Sequence, residues 1–534
     1  MRAIKPVITL LFISLRTAVV FSQTSPVLSY LPADAKMIVK INPLRLGLKI
    51  KWQELMKYKM FEDAMKDTSQ AGKAFLENPQ QTGIDLGKGF FLVSENKNNK
   101  KTEPVLYGIP GDTSLFAGML KKISPGKRAI KIGNAKMIIN KNTVVAWNRE
   151  IFVLAGTDNK EKSANETDPK AKAAAELTRV KQLTEKCKRL LTKQPVTFNN
   201  EYFTSLLKGG GDLQLWINNT LQTQGQLKNK SDEVLGMLDK NFMQRGDYIS
   251  AVVNFNNGKV SMEMKRYVSS SLDSIYKAFP AKNINMELLK RLPGGQPIFV
   301  WSFNISPAMV KEIVAKSGSN RVLDSLKKKN INVEDVLTSL KGDAMVALVK
   351  IYEFGKDDSV TQAMNGMQLF LAGSINDAKK LKGSIASLQD SAKKIGKGKM
   401  KPFVLSNDSI FVVSLSRIAG QKFLDSAGRN EEVQKLFYPY EGYPAALIID
   451  LRTVFSFLIQ SVLKNKSEED AKQATEVLSM FDKMISYGGR YDNGFVSNTI
   501  DLTLANKDEN SLMQFIKLLN LFYSFKPKSP SAAN

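Results

Sequence analysis

The side chains best placed to do chemistry in this chain are Asn42, Asn218, Asn304 and Asp450. Each closes an apolar run and precedes a helix-like segment. Amides and a carboxylate at equivalent strand ends could ring a ligand with donors and acceptors. The same residue types also cap helices, because their oxygens accept the orphan backbone N–H groups of a first turn. Capping accounts for all four without a ligand and is the favoured reading. The sequence assigns no catalytic, cofactor-binding or metal-ligating residue.

Other chemistries are bounded by what the chain lacks. It contains no histidine, the usual general base and the commonest metal ligand. Ser-His-Asp and Cys-His machinery and His-zinc sites are therefore excluded. The single cysteine, Cys187, lies on a helical stripe with Leu177, Val180, Leu183 and Leu190, which predicts a buried structural thiol. Gly83-Ile-Asp-Leu-Gly87-Lys88-Gly89 lacks the spacing and the Ser or Thr of a phosphate-binding loop. Ser-x-x-Lys occurs at Ser274/Lys277, Ser325/Lys328 and Ser391/Lys394 without the partner motifs of a Ser/Lys enzyme. Carboxylates can meet in space with no sequence signature, so a carboxylate-dependent hydrolase or transferase of the periplasm stands as the alternative to a non-catalytic protein. Trp52, Trp147, Trp216 and Trp301 could form a sugar-stacking platform; three lie in apolar strand contexts that predict core packing instead.

The elements that must position these residues are written twice, in the same order. Leu31-Pro32 precedes the strand Met37 to Asn42, and Leu292-Pro293 precedes Ile298 to Asn304. Gly108-x-x-x-Asp112 is echoed by Gly373-x-x-x-Asp377, Asn148-x-x-Ile151-Phe152-Val153 by Asn407-x-x-Ile410-Phe411-Val412, and Asn257-Gly258 by Asn493-Gly494. The period far exceeds the roughly 20–50 residues of a solenoid repeat, so the expectation is a tandem domain duplication. The separation of matched anchors shortens after the Asn148/Asn407 pair. That places an insert in the first copy, where the low-complexity run NKEKSANETDPKAKAAA begins at Asn159. Strands joined by hairpins and interleaved with helices predict an α+β class with largely antiparallel sheets. Asn-Gly at both hairpins suits a type I′ turn, which needs positive φ at both central residues.

Hydrophobic residues make up 43% of the 534 and charged residues 24%, which supports real cores rather than global disorder. The N-terminus reads as a secretory signal: Arg2 and Lys5, then the apolar run Val7 to Leu15, then Val20-Phe21-Ser22 before a cleavage site. Arg16 interrupts the run, and no later segment reaches the 18 or so apolar residues of a spanning helix. The expected location is therefore outside the cytoplasm, periplasmic or peripheral to the outer membrane. Lys and Arg number 77 against 51 Asp and Glu, a formal net charge of +26. Such a field attracts phosphate, carboxylate or sulfate groups. In the envelope that means anionic lipid, lipopolysaccharide or acidic glycan, with an outer-membrane protein as a further partner class. Nucleic acid is disfavoured, because no zinc-finger, RNP or basic-zipper motif is present.

The block Leu31-Pro32-Ala33-Asp34-Ala35-Lys36-Met37-Ile38-Val39-Lys40-Ile41-Asn42-Pro43 resembles the start of an uncharacterised Bacteroidota envelope-protein family, domain of unknown function 4836. The resemblance implies export and an unassigned role, and it brings no catalytic residues and no cofactor. Many members look like lipoproteins with a cysteine at the cleavage site; this chain has Ser22-Gln23 there. The combined reading is a signal peptide at 1–22, a first α+β copy at 23–285 with an insert at about 159–185, a second copy at 286–525 and a disordered tail at 526–534. Its expected role is a non-catalytic binding or scaffolding function in the envelope. N-terminal sequencing of the native protein is expected to begin at Gln23, and an intact Met1 terminus on the mature chain would defeat the export reading.

Overall fold

The computed structural model describes residues 25–33, 35–66, 79–95, 104–140, 143–156, 169–194, 200–218, 248–316, 332–350, 368–385, 402–425, 430–462 and 468–524. The leader, the first part of the insert, the lysine-rich tip around 96–101 and the tail fall outside these. The chain forms two compact units that are not consecutive segments. The first takes residues 1–221, 249–257 and 509–534; the second takes 222–248 and 258–508. The boundary expected at 285/286 thus differs from the division by compactness. Both units are mixed α and β, and the strand pairings given below are all antiparallel.

In the first unit the strands are β1 (Ala35–Ile41), β2 (Phe90–Glu95), β3 (Val105–Gly108), β4 (Ile130–Ile132), β5 (Ala135–Asn140), β6 (Thr143–Trp147), β7 (Phe152–Gly156), β8 (Leu213–Asn218) and β9 (Tyr248–Asn256). Eight of them pair in the order β4-β5-β6-β7-β3-β2-β1-β8. The helix Thr113–Ile123 turns Phe116, Met119 and Leu120 onto this sheet, the i, i+3, i+4 spacing of one helical face. Asp112 starts it, its Oδ1 accepting from Ser114 N at 2.7 Å and Leu115 N at 2.9 Å. Phe116 stacks on Phe152 at 4.8 Å between ring centres and meets Trp147 edge-on at 5.9 Å. Each buried aromatic of this kind is worth about 1.5–3 kcal/mol in area alone. Met513 and Ile516, from the helix Ser511–Ser524, complete this core.

The second unit holds β10 (Lys259–Tyr267), β11 (Phe299–Asn304), β12 (Leu340–Lys350), β13 (Gln368–Ile375), β14 (Phe403–Ser406), β15 (Ile410–Ser414), β16 (Ala445–Asp450), β17 (Phe481–Asp492) and β18 (Phe495–Leu504). Their order is β14-β15-β13-β12-β11-β16-β17-β18-β10. Its core gathers Val300, Met345, Phe370, Val412 and Ile448 from alternate strand positions under Phe423, Val433 and Phe437 from two helices. A smaller cluster packs Leu272 and Ile275, from the helix Ser270–Ala278, against Met309.

Two of the anchor pairs read in the sequence take the same local structure. Asn148 Oδ1 accepts from Glu150 N and Ile151 N, and Asn407 Oδ1 accepts from Ser409 N and Ile410 N, all at 2.8–2.9 Å. Gly108 pairs with Phe152 across β3–β7, and Gly373 with Phe411 across β13–β15. The two Asn-Gly turns differ. Asn493 and Gly494 both have positive φ, as type I′ requires, but at Asn257-Gly258 only the glycine does. Asn257 instead forms a bridge with Asn510. The helix Glu468–Ser479 ends before β17 takes over at Phe481, and the apolar residues of β17 pair with β16 and β18.

The aromatic ring lies where a side chain on the facing glycine would stand. A Cβ at Gly108 would come within 2.4 Å of Phe152 Cζ, and one at Gly373 within 2.7 Å of Phe411 Cε1. Overpacking of this kind costs about 1–3 kcal/mol. Gly108→Ala should therefore lower the urea midpoint, and Phe152→Leu in the same chain should return part of that loss. Strictly additive losses in this double-mutant cycle would rule out the ring contact as the cause.

Candidate functional site

Within neither unit do the polar strand ends gather. Antiparallel neighbours end at opposite edges of a sheet. Asn42 therefore sits beside Asp212 at the start of β8, its N–H donating to Asp212 O at 3.0 Å, while Asn218 closes the far end of β8. In the second unit Asp450 N–H donates to Ile298 O, at the end of β11 away from Asn304. Asn42 caps the helix Pro43–Gly47 through Arg45 N at 3.2 Å. Asp450 caps Leu451–Val462 through Thr453 N at 3.1 Å and also accepts from the Thr453 hydroxyl at 3.0 Å. The residues that follow Asn218 lie outside the description. Asn304 departs from the capping pattern. The helix Pro307–Lys316 takes its cap from Ser306 Oγ, which accepts from Met309 N at 3.5 Å. The Asn304 side chain, on a residue only 9% exposed, has no hydrogen-bond partner among the described residues.

Asn304 opens onto a pocket of about 590 Å³ in the second unit, together with Asn285, Asp343, Lys282, Glu287 and Glu441. Two elements set its floor. The β11–β12 ladder puts Asn304 directly opposite Asp343. The short helix Met286–Leu289 is capped by Asn285, whose Oδ1 accepts from Glu287 N at 2.9 Å. The Asn285 amide then donates to Asp343 Oδ2 at 2.7 Å, and Ser374 Oγ donates to the same oxygen at 2.5 Å. Ile284 N–H donates to Tyr443 O at 2.9 Å and ties this wall to the loop carrying Glu441. Sequence reasoning missed Asp343 and Asn285. The only trace of either is Asp343 itself, an acidic residue directly before the apolar run 344–349.

The first unit buries a different carboxylate. Asp212 accepts from Arg45 Nε at 3.2 Å and Phe255 N at 2.6 Å, and it pairs with Lys49. The same unit carries a cationic ribbon. Lys121, Lys122, Lys127, Arg128, Lys131 and Lys136 are all exposed, and the sequence has no acidic residue between Asp112 and Glu150. Lys131 and Lys136 face each other directly across β4–β5. Ile130, one residue along β4, is also exposed.

The remaining sequence candidates resolve into structural roles. Ser274 Oγ donates to Ser270 O and Lys277 pairs with Asp273, both on the surface of one helix. The other two Ser-x-x-Lys pairs lie outside the described residues. Trp147 and Trp216 are buried, whereas Trp301 is 44% exposed and tilts against Phe303 at 4.6 Å. Cys187 is fully buried with Leu183 and Leu190, but Leu177, expected on that stripe, is 73% exposed. Burial pushes the Cys187 thiol up to about 11, against a smaller opposing effect of Lys186. The native protein should therefore resist Ellman's reagent at pH 8 and release one thiol per chain in denaturant. Rapid labelling of the native form would contradict the burial.

Among the described residues no helix is long and apolar enough to cross a membrane, and no three Asp, Glu or Cys gather where they could hold a metal. No curated protein matches this sequence. Among solved structures the chain is similar to crystal form I of TP0453, at 10% identity over 49% of this chain and 89% of that one, with a TM-score of 0.25. Crystal form III of the same protein aligns at 9% identity over 48% and 87%, with a TM-score of 0.24. Likenesses this distant carry no argument. The profile of the family described as a domain of unknown function, DUF4836, matches residues 28–363, and the chain belongs to that family.

Proposed function

We propose that this is an exported, non-catalytic protein of the cell envelope, periplasmic or peripheral to the outer membrane, that docks on anionic envelope components. The cationic ribbon of the first unit carries this reading. Like charges directly opposite on paired strands destabilise a ladder, yet Lys131 faces Lys136 with no acidic residue in the surrounding sequence. An anionic partner turns that repulsion into attraction. Loss of Arg2, Lys5 and Arg16 with the leader takes the formal net charge from +26 only to +23, so the long-range field persists. Binding rather than catalysis rests on the chemistry available: no histidine, and a lone thiol that burial keeps protonated.

The architecture behind this role is, on the same proposal, one module used twice. The order β6-β7-β3-β2-β1-β8 in the first unit repeats as β14-β15-β13-β12-β11-β16 in the second. The β10–β18 register supports it too. Glu263 and Thr499 lie 236 residues apart (499 − 263), the same separation as Gly258 and Gly494 (494 − 258), and they pair with each other, as equivalent positions related by a two-fold would. The closing helices are exchanged: Ser270–Ala278 folds into the second unit, and Ser511–Ser524 into the first.

Sedimentation with vesicles tests the docking. The mature chain should pellet with anionic vesicles and stay in solution with zwitterionic ones. Binding should fall steeply as salt shortens the Debye length from about 10 Å at 0.1 M to about 3 Å at 1 M. Replacing Lys127, Arg128, Lys131 and Lys136 by Ser should remove most of the binding, and replacing Lys97, Lys100 and Lys101 by Ser should change little. Equal pelleting with both vesicle types, or equal effects of the two sets of replacements, would refute the ribbon as the docking surface.

A further inference from the structure

The pocket of the second unit holds a charge that the protein leaves uncompensated. Asp343 is 8% exposed, and both of its donors, Asn285 Nδ2 and Ser374 Oγ, are neutral and bond the same oxygen, Oδ2. No described residue donates to Oδ1, and no described cation pairs with the carboxylate. A buried carboxylate is ordinarily matched by a cation or by a full set of donors. Asp212 in the first unit shows that solution, with Arg45, Lys49 and a backbone N–H gathered on it. Directly across the ladder from Asp343, the Asn304 amide is nine-tenths buried and unpartnered. Two polar groups without a described protein partner, Asp343 Oδ1 and the Asn304 amide, thus face one open space of about 590 Å³. Around it Glu287 is occupied by Lys290 at 2.7 Å, which leaves Lys282 against Asp343 and Glu441, an excess of negative charge.

We propose that this pocket binds a primary ammonium group. Its N–H donors fit the free Oδ1 of Asp343 and the Oδ1 of Asn304, and Glu441 in the lining adds attraction. A charge-assisted hydrogen bond to a carboxylate is among the stronger polar contacts available. An anionic ligand would meet Asp343 unshielded, and a neutral polyol would leave its charge unpaired. The site is opposite in sign to the cationic ribbon and lies in the other unit, so it stands or falls independently of vesicle docking.

Ligand-observed NMR titration of the full mature chain provides the test, with ethanolamine as probe and N-acetylethanolamine as its uncharged counterpart. Ethanolamine should bind saturably and N-acetylethanolamine should not. Asp343→Asn keeps the shape of the side chain and should weaken ethanolamine binding at least tenfold. Asn304→Ala should weaken it several-fold, and it removes no hydrogen bond of the fold, so it serves should Asp343→Asn alter the circular dichroism spectrum. Lys282→Ala, which removes a competing positive charge, should leave binding equal or tighter. The proposal is overturned if ethanolamine does not bind, if N-acetylethanolamine binds equally, or if Asn304→Ala and a folded Asp343→Asn bind like the parent.

Discussion

Antiparallel pairing is the constraint on which the rest of this structure depends. Side chains of successive residues point to opposite faces of a strand, so each ladder sorts residues into one buried and one less buried set. Along β12 Met345 and Ala347 go inward while Val346 and Leu348 do not. The same ladder brings Asn304 and Asp343 face to face across β11–β12, although 38 residues of chain separate them. It also sends the ends of neighbouring strands to opposite edges. A ring of polar strand ends would need parallel neighbours, and here none of the relevant strands has one.

Charge burial is the second constraint, and the two units meet it differently. Asp212 follows a run of three glycines, two of them with positive φ, and this lets the backbone deliver its carboxylate inward at the start of β8. There it joins β1 through its carbonyl, β9 through Phe255 N, and the Pro43–Gly47 helix through Arg45. Arg45 is about half exposed and Lys49 less so, which keeps much of the cationic hydration while the anion is fully enclosed. Asp343 has no such cation among the described residues, and its other oxygen faces solvent-accessible space.

What could be read from the sequence was local, and what could not was spatial. Asn148 and Asn407 announce their turns because each makes its own bonds within three residues. The α+β class follows from periodicity for the same reason. The Asn257-Gly258 turn was misjudged because Asn257 is held by Asn510, a contact no local pattern encodes. Phe481 to Met484 suit either a helix face or a strand, and pairing with β16 and β18 decides the matter. The pocket was invisible for a deeper reason. Its members come from four separated segments, and only the strand register makes them neighbours.

The fate of the paired asparagines shows how such a site can arise. On the proposed duplication, Asn42 and Asn304 are equivalent. Asn42 is followed at once by Pro43, the first residue of a helix, and its side chain is consumed as the cap. After Asn304 two more residues, Ile305 and Ser306, intervene before Pro307 starts the helix, and Ser306 takes over the capping. The extra residues cost little, since Ile305 N–H still finds Gly342 O at 2.9 Å. Relieved of the helix, Asn304 keeps its place at the strand end opposite Asp343. A small lengthening of one connection thus converts a residue that stabilises its own fold into one whose donors and acceptor are free for something else. The Asn304 amide borders the open space of the pocket and is not among the buried side-chain atoms left without a partner, so water can meet it. A ligand there exchanges that water for direct contacts.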